Sequence, residues 1–322
     1  MTKSISAEGG TKNRFFSRGR AESPDSRFAF WLVFPSAAII IGLLGYPILY
    51  AAWLSLHDFK LSRPQSQPFV GLTNFVQMAQ DPEFLAALGR TTYFTVLTVG
   101  LGVLMALGLA LLLAQEFRGS AFARTLLLVP WAVPPVVNGI MWRWIYDGNY
   151  GALNWILLKL GVISETKLWL GTPESALNAV VFAELWKLLP FITLIILASL
   201  QGIPRSLYRA ARVDGANAWQ RFIHITLPSL RNTLILVLIL QTMWSIKVFD
   251  VIYVLTQGGP ANGTTTLFYY GYLETFTFLD VGYGSAVAFT IMLLVLVLTC
   301  GYITLLRRQR GSSKVAKEEA KA

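Results

Sequence analysis

Six stretches of this chain, 28–56, 91–115, 125–146, 176–203, 232–256 and 281–306, run almost without charge. Each supplies the roughly 20 apolar residues a helix needs to cross a bilayer core about 30 Å thick. Inside lipid every backbone N–H and C=O must find its partner within the segment, so such runs fold as helices. The fold class is an all-α integral membrane protein with about six transmembrane helices. Composition agrees: 54% of residues are hydrophobic, 14% are charged and the mean hydropathy is +0.54, which excludes an ordinary soluble domain.

Basic residues orient the helices. With the N-terminus inside, 19 of the 27 Lys and Arg fall in cytoplasmic segments: six in residues 1–27, then Arg118 and Arg124, five in residues 204–231, and six in residues 307–322. The outer loops hold Lys60, Arg63, Arg90, Lys159 and Lys167. This asymmetry sets both termini in the cytoplasm. The net charge of +10 is therefore read as a topology signal and not as a nucleic-acid surface. Residues 1–27 are expected to be a disordered tail, 28–306 a single membrane domain and 307–322 a basic tail. The one cysteine, Cys300, is expected to be buried in the sixth span, and it excludes a disulfide within the chain.

Chemistry-bearing motifs are scarce. No Gly-x-x-x-x-Gly-Lys-Ser/Thr loop, Gly-x-Ser-x-Gly elbow or His-Glu-x-x-His pair occurs, and the two histidines, His57 and His224, fall on opposite sides of the membrane. No catalytic residue, metal site or cofactor is expected on this chain. A patterned, charged island does occur between the fourth and fifth spans, at 204–231. Ser206 is placed to cap a helix, Ala210, Ala211 and Ala216 leave room for close approach, Gly215 permits a turn, and Pro228 is placed to end the unit. The expected structure is a short helix-turn-helix offered to another protein. Its plainer reading is an amphipathic connector on the lipid surface.

Ala210-Ala-x-x-Asp214-Gly215-Ala216 followed by Phe222-x-x-Ile-x-Leu227-Pro228 resembles the cytoplasmic coupling motif of binding-protein-dependent ABC transporter permeases. The resemblance extends over about residues 28–306. It includes Phe69-Val-Gly-Leu-Thr-Asn-Phe75 with Asp81-Pro-Glu-Phe84, and Trp186-Lys-Leu-Leu-Pro-Phe191. Phe249 to Asn262, carrying Gly258-Gly-Pro260, and Gly282-Tyr-Gly-Ser-Ala286 complete it. Together these are similar to the maltose type of carbohydrate permease, specifically the partner with the Gly-Gly-Pro turn. The resemblance implies a multi-pass subunit of a bacterial or archaeal plasma membrane. It implies a coupling helix that docks on a separate ATPase dimer, where ATP and Mg bind, a second related permease, and a solute-binding protein outside. Arg209, Ala210, Ala211, Asp214, Gly215, Ala216, Phe222, Leu227 and Pro228 are the coupling candidates. The family usually has Glu where Arg209 stands. With Ser206 as cap, Arg209 would be the third helical residue, unable to close a capping box. It is then either a tolerated surface residue or the partner of an acid on the ATPase.

Charges within spans are costly and mark function. Glu184 with Lys187, and Lys247 with Asp250, lie three apart, each pair expected on one helix face; Arg143 falls at a similar depth by helical rise. Three cations against two anions make this layer slightly positive. With Trp186, Trp244, Tyr253, Asn138 and Gln241 it suits a polyol, because aromatic faces cover sugar rings while polar groups meet hydroxyls. The same residues have structural readings. Trp142, Trp144 and Tyr146 fit an interfacial belt, Lys247–Asp250 a packing pair, and the two amides interhelical hydrogen bonds. The function read from the sequence is the membrane subunit of an ATP-driven importer of a sugar or sugar derivative, working by alternating access. The alternatives are an acidic polyol or non-carbohydrate cargo on the same architecture and, more remotely, an ATP-independent channel or carrier.

Overall fold

A computed structural model of the chain describes residues 26–115 and 117–319. Among these the regular structure is helical, with no strand beyond the isolated bridges His57–Phe69 and Lys60–Asp280. The tail expected to be disordered lies almost wholly outside the described residues. The chain divides into two units, residues 1–50 and 51–322. The first consists, as described, of the greater part of α1 (Ser26–Ser55), a helix with apolar side chains on every side and prolines at 35 and 47. A helix that is apolar all round matches a lipid solvent.

In the second unit α2 (Thr73–Gln80) and α3 (Pro82–Leu113) are separated only by Asp81. The Asp81 carboxylate accepts the Glu83 N–H at 2.9 Å and Pro82 occupies the first helical turn, so α3 begins nine residues before the expected start of the second span. Arg90, expected in a loop, is thereby inside α3, where it pairs with Glu83 at 2.9 Å. The long α8 (Pro173–Gln201) opens with a Thr172–Ser175 capping box and packs against α3. Ala106 and Ala110 of α3 meet Leu188, Ile192 and Ile196 of α8, the small-against-large packing that lets membrane helices approach. The second partner of α3 is α11 (Leu227–Ile246). Gly102 makes that approach possible, since a Cβ there would stand 2.1 Å from the Gln241 amide nitrogen.

Two spans are broken. The third consists of α4 (Ser120–Leu127) and α5 (Val129–Ala132), bent by 95° from α6 (Pro135–Ile145). Pro134 and Pro135 account for the bend, because the residue before a proline is driven out of helical conformation. The fifth span runs as one crossing over Ala218–Leu255, within one residue of the expected end, but its helix is interrupted. After α11 the chain leaves helical geometry at Lys247–Phe249 and resumes as α12 (Asp250–Leu255). Among the described residues five helices are long and apolar enough to cross a membrane, and a sixth crossing forms if the bent third span is one. α13 (Leu267–Tyr272) and a π-turn, Leu273–Thr277, lead to α14 (Val281–Glu319). α14 carries helix through most of the segment expected as a basic tail. Cys300 on α14 is exposed, not buried as expected, because this stretch of the helix turns much of its apolar surface outward.

Candidate functional site

The island after α8 folds into α9 (Arg205–Val213), a turn, and α10 (Ala218–Arg221), which runs through a π-turn at Phe222–Thr226 into α11. Ser206 is not the cap. Pro204 precedes the helix, Ser206 is its second residue and Arg209 its fifth, so the capping-box defect does not apply to Arg209. α9 ends in a paired closure: Gly215 N–H reaches the Arg212 carbonyl at 3.2 Å and Ala216 N–H the Ala211 carbonyl at 2.8 Å. Gly215 sits at φ +78°, the left-handed position this closure requires. Asn217 and Gln220 then form a reciprocal capping box, each at 2.8 Å, to start α10. Pro228 does not end this unit as expected. The preceding π-turn shifts the carbonyls its ring would strike, and the helix continues through it.

Two contacts fix the island as one body. The Tyr208 hydroxyl lies 2.8 Å from Thr226 Oγ1, and Arg221 donates to the Ala216 carbonyl at 2.6 Å. Arg209, Ala210, Asp214 and Leu227 are exposed, while Ala211, Ala216 and Phe222 are half-buried. Val213 is 88% exposed and Trp219 66%, apolar side chains turned outward on a cationic element.

The second feature is a cavity of about 410 Å³ beside the break in the fifth span. It is lined by Glu184 and Lys187 of α8, Lys247 and Asp250 flanking the break, and the rings of Trp131, Trp244, Phe249 and Phe268. Four of the five expected charges thus converge, although Lys247 and Asp250 do not share one helix, because the chain unwinds between them. Neither expected pair closes to an ion pair; those among the described residues are Lys60–Asp280 and Arg90–Glu83, both at 2.9 Å. Arg143 is exposed and is not part of the cavity wall. Without it two cations face two anions, and the expected positive excess disappears.

Trp131 and Phe191 were not among the sequence candidates. Their rings stack at 5.4 Å and 15°, and Phe191 meets Trp244 at 5.7 Å. Phe191 follows Lys187 by four residues on α8, and Trp244 precedes Lys247 by three on α11. The two helices run in opposite directions, so these rings lie about one turn from the charges toward the island. The signal in the sequence was Trp131 set between Pro130 and Pro134, where the chain must bend. Pro190 also leaves the Trp186 carbonyl without its helical donor at this level.

The other candidates are not part of the cavity wall. Asn138 is buried and its Nδ2 donates to the Ala183 carbonyl at 3.3 Å, while the buried Gln241 donates to the Thr98 carbonyl at 2.9 Å. Trp186 and Tyr253 belong to aromatic clusters with Trp142 and with Phe249, Tyr269 and Tyr272. Trp142 and Tyr146 are core residues, not interfacial ones, and Trp144 alone of that trio is exposed. At the end of the bundle away from the island, Asp81 accepts hydrogen bonds from the Tyr270 hydroxyl and, at 2.9 Å, from the Tyr283 hydroxyl. Burial pushes this carboxyl up, but the two phenols and the Glu83 N–H together hold it below the usual range. The Lys60 ammonium is held above its usual value by its hydrogen bond to Asp280. The turn at 257–262 is fixed by threonines, with the half-buried Thr256 and buried Thr264 hydroxyls 2.7 Å apart.

Residues 98–311 match the family described as binding-protein-dependent transport system inner membrane component. The chain is 38% identical to the trehalose/maltose transport system permease protein MalF of Thermococcus litoralis, over 89% of this chain and 96% of that one. It is 37% identical to the sulfoquinovosyl glycerol transport system permease protein SmoG of Agrobacterium fabrum, over 88% and 90%. A bacterial ABC transporter involved in the import of the acidic polysaccharide alginate shares the fold, with a TM-score of 0.75 at 22% identity over 88% of this chain and 97% of that one.

Proposed function

Because the chain belongs to the binding-protein-dependent transport system inner membrane components, we propose that it forms half of a sugar-translocation pathway whose cargo binds in the cavity beside the broken fifth span. The chain is a permease subunit of the ABC importer type, resident in the inner membrane and not itself an enzyme. In the proposed assembly a second related permease completes the pathway, a solute-binding protein delivers cargo on the outer side, and an ATPase dimer carrying ATP and Mg grips α9 and the turn at Asp214–Ala216. Closure of that dimer moves the island, and the rigid α10–α11 helix passes the motion to the break at Lys247–Phe249. Cargo and nucleotide each favour one state of the cycle, which is how either biases the other.

The cavity carries the substrate reading. Its volume of about 410 Å³ lies in the usual range of small-molecule sites. Four charges outside any ion pair offer donors and acceptors to hydroxyls, and the rings offer apolar faces. Their balance favours a neutral sugar over an acidic one. Trehalose and maltose are the first cargoes to test, given the names of the relatives. The experiment is ATP-dependent uptake by the complete transporter in proteoliposomes. Lys247→Ala should reduce uptake at least about tenfold, the loss of ~1.4 kcal/mol or more of cargo binding, while assembly with the ATPase is unchanged. Full uptake in this variant, or reduced membrane abundance alone, would return Lys247 to a packing role.

A further inference from the structure

The segment between α6 and α8 reads from sequence as an outer loop, yet it is a built hairpin carrying a helix, α7 (Ala152–Lys159). Asn154 closes it from within. Its amide donates to the Asp147, Gly148 and Lys167 carbonyls at 3.4, 3.2 and 3.0 Å, and its oxygen accepts from Lys167 N–H and Trp169 Nε1 at 3.2 and 2.9 Å. Asp147 fixes the entry by accepting the Asn149 and Tyr150 N–H groups, and the helix end is closed by Val162 N–H on the Leu157 carbonyl at 2.9 Å. In this rigid frame the outward side chains are apolar: Trp155 is 63% exposed, Leu160 70% and Val162 65%, with Ile156 between them also exposed. A soluble surface does not present so large a contiguous apolar patch without a partner.

We propose that α7 is an interfacial helix, lying in the headgroup–acyl boundary of the leaflet at the end of the bundle away from the coupling island. Three observations select lipid as the occupant. The hairpin lies directly between the ends of two spans, so its level is that of the membrane boundary. Its apolar surface continues the exposed face of α6, on which Val137, Ile140 and Trp144 point outward, and the Trp144 ring packs on Tyr150 at 5.4 Å where the hairpin begins. Lys159 and Lys167 flank the patch, exposed and outside any ion pair, where lipid phosphates would meet them. Tryptophan, tyrosine and lysine bordering an aliphatic patch is the composition of an interfacial element. The helix would hold the bent third span and the top of α8 at a set depth, so that Trp131 and Lys187 keep their level as the island moves.

The test uses the complete transporter in phosphatidylcholine–phosphatidylglycerol vesicles, with Cys300→Ser removing the only native cysteine of this chain and cysteine-free partners. Trp155→Cys carries an environment-sensitive fluorophore; Leu160→Cys is the second variant should the first fail to assemble. Spin-labelled lipid with the nitroxide high on the acyl chain should quench the label by at least about twofold, as burial at the boundary demands. Aqueous iodide should quench it weakly, and added binding protein should change neither. Strong iodide quenching without lipid quenching overturns the proposal, leaving the helix in water. Shielding that appears only with binding protein, or from both quenchers alike, also overturns it in favour of a protein partner. The readout is depth and not transport, so it stands apart from the choice of cargo.

Discussion

Single residues in this protein matter most where a polar atom is shared between helices. Asp81 joins the start of α3 to α13 and α14 through Tyr270 and Tyr283. Its folded value is depressed, so its contribution is fully present above the ordinary carboxylate value near 3.9 and is lost as pH falls through the lower folded value. The site is partly open to solvent, so Asp81→Asn should cost about 1 kcal/mol at neutral pH, a Tm lower by a few degrees. The gap between wild type and variant should close below about pH 4. Thermal unfolding in detergent measured across pH reads this directly, and a gap that stays constant into acid means the carboxylate is not the source. Asp81 was legible from sequence only as part of a family segment. Its phenolic partners are 189 and 202 residues away, a separation that no local pattern encodes.

At the scale of elements, the close approach of α3 and α11 rests on a missing side chain. Gly102 faces Gln241, whose amide bonds the Thr98 carbonyl while its Oε1 has no partner among the described groups, and Thr98 in turn meets Ser245 at 2.8 Å. Gly102→Ala should overpack this contact by about 1–3 kcal/mol. In a double-mutant cycle, Gly102→Ala with Gln241→Ala should destabilise less than the sum of the two, by about 0.5–3 kcal/mol. Additive effects would show that the helices simply move apart. Gln241 was a cargo candidate because an amide can meet hydroxyls, but the same amide suits interhelical hydrogen bonding, and the neighbour across the interface gives it such a bond. The breaks in the third and fifth spans have unequal signals. Pro134–Pro135 announces the first, whereas nothing local marks Lys247–Phe249, where the chain leaves helix and Thr266 Oγ1 bonds the Val248 carbonyl at 3.4 Å.

For the whole molecule, the proposed coupling requires a push at α9 to reach a cavity about 21 Å away, the rise of the fourteen residues from Lys187 to Gln201 along α8. The island is tied to the fifth span covalently through an unbroken helix and laterally through Tyr208 and Thr226. Arg209 is exposed at mid-helix and in no ion pair among the described residues, which suits an acidic residue on the ATPase. Arg209→Glu should therefore lower transport-coupled ATP hydrolysis several-fold, the effect of about 1 kcal/mol at an interface charge, while the basal assembly persists. Unchanged coupling would make Arg209 an ordinary surface residue. By itself the sequence determined the membrane class, the crossings, the charged island between the fourth and fifth spans and the charged residues within spans, because lipid forbids uncompensated polarity and the pattern of apolar runs is local. Only the tertiary structure decided which charges share a cavity, that Arg143 is not among them, that Trp131 lines it with Phe191 stacked on its ring, and that the segment after α6 is a hairpin built around Asn154. These depend on breaks in helices and on contacts between distant segments, and a charge within a span carries no record of which way its helix turns it.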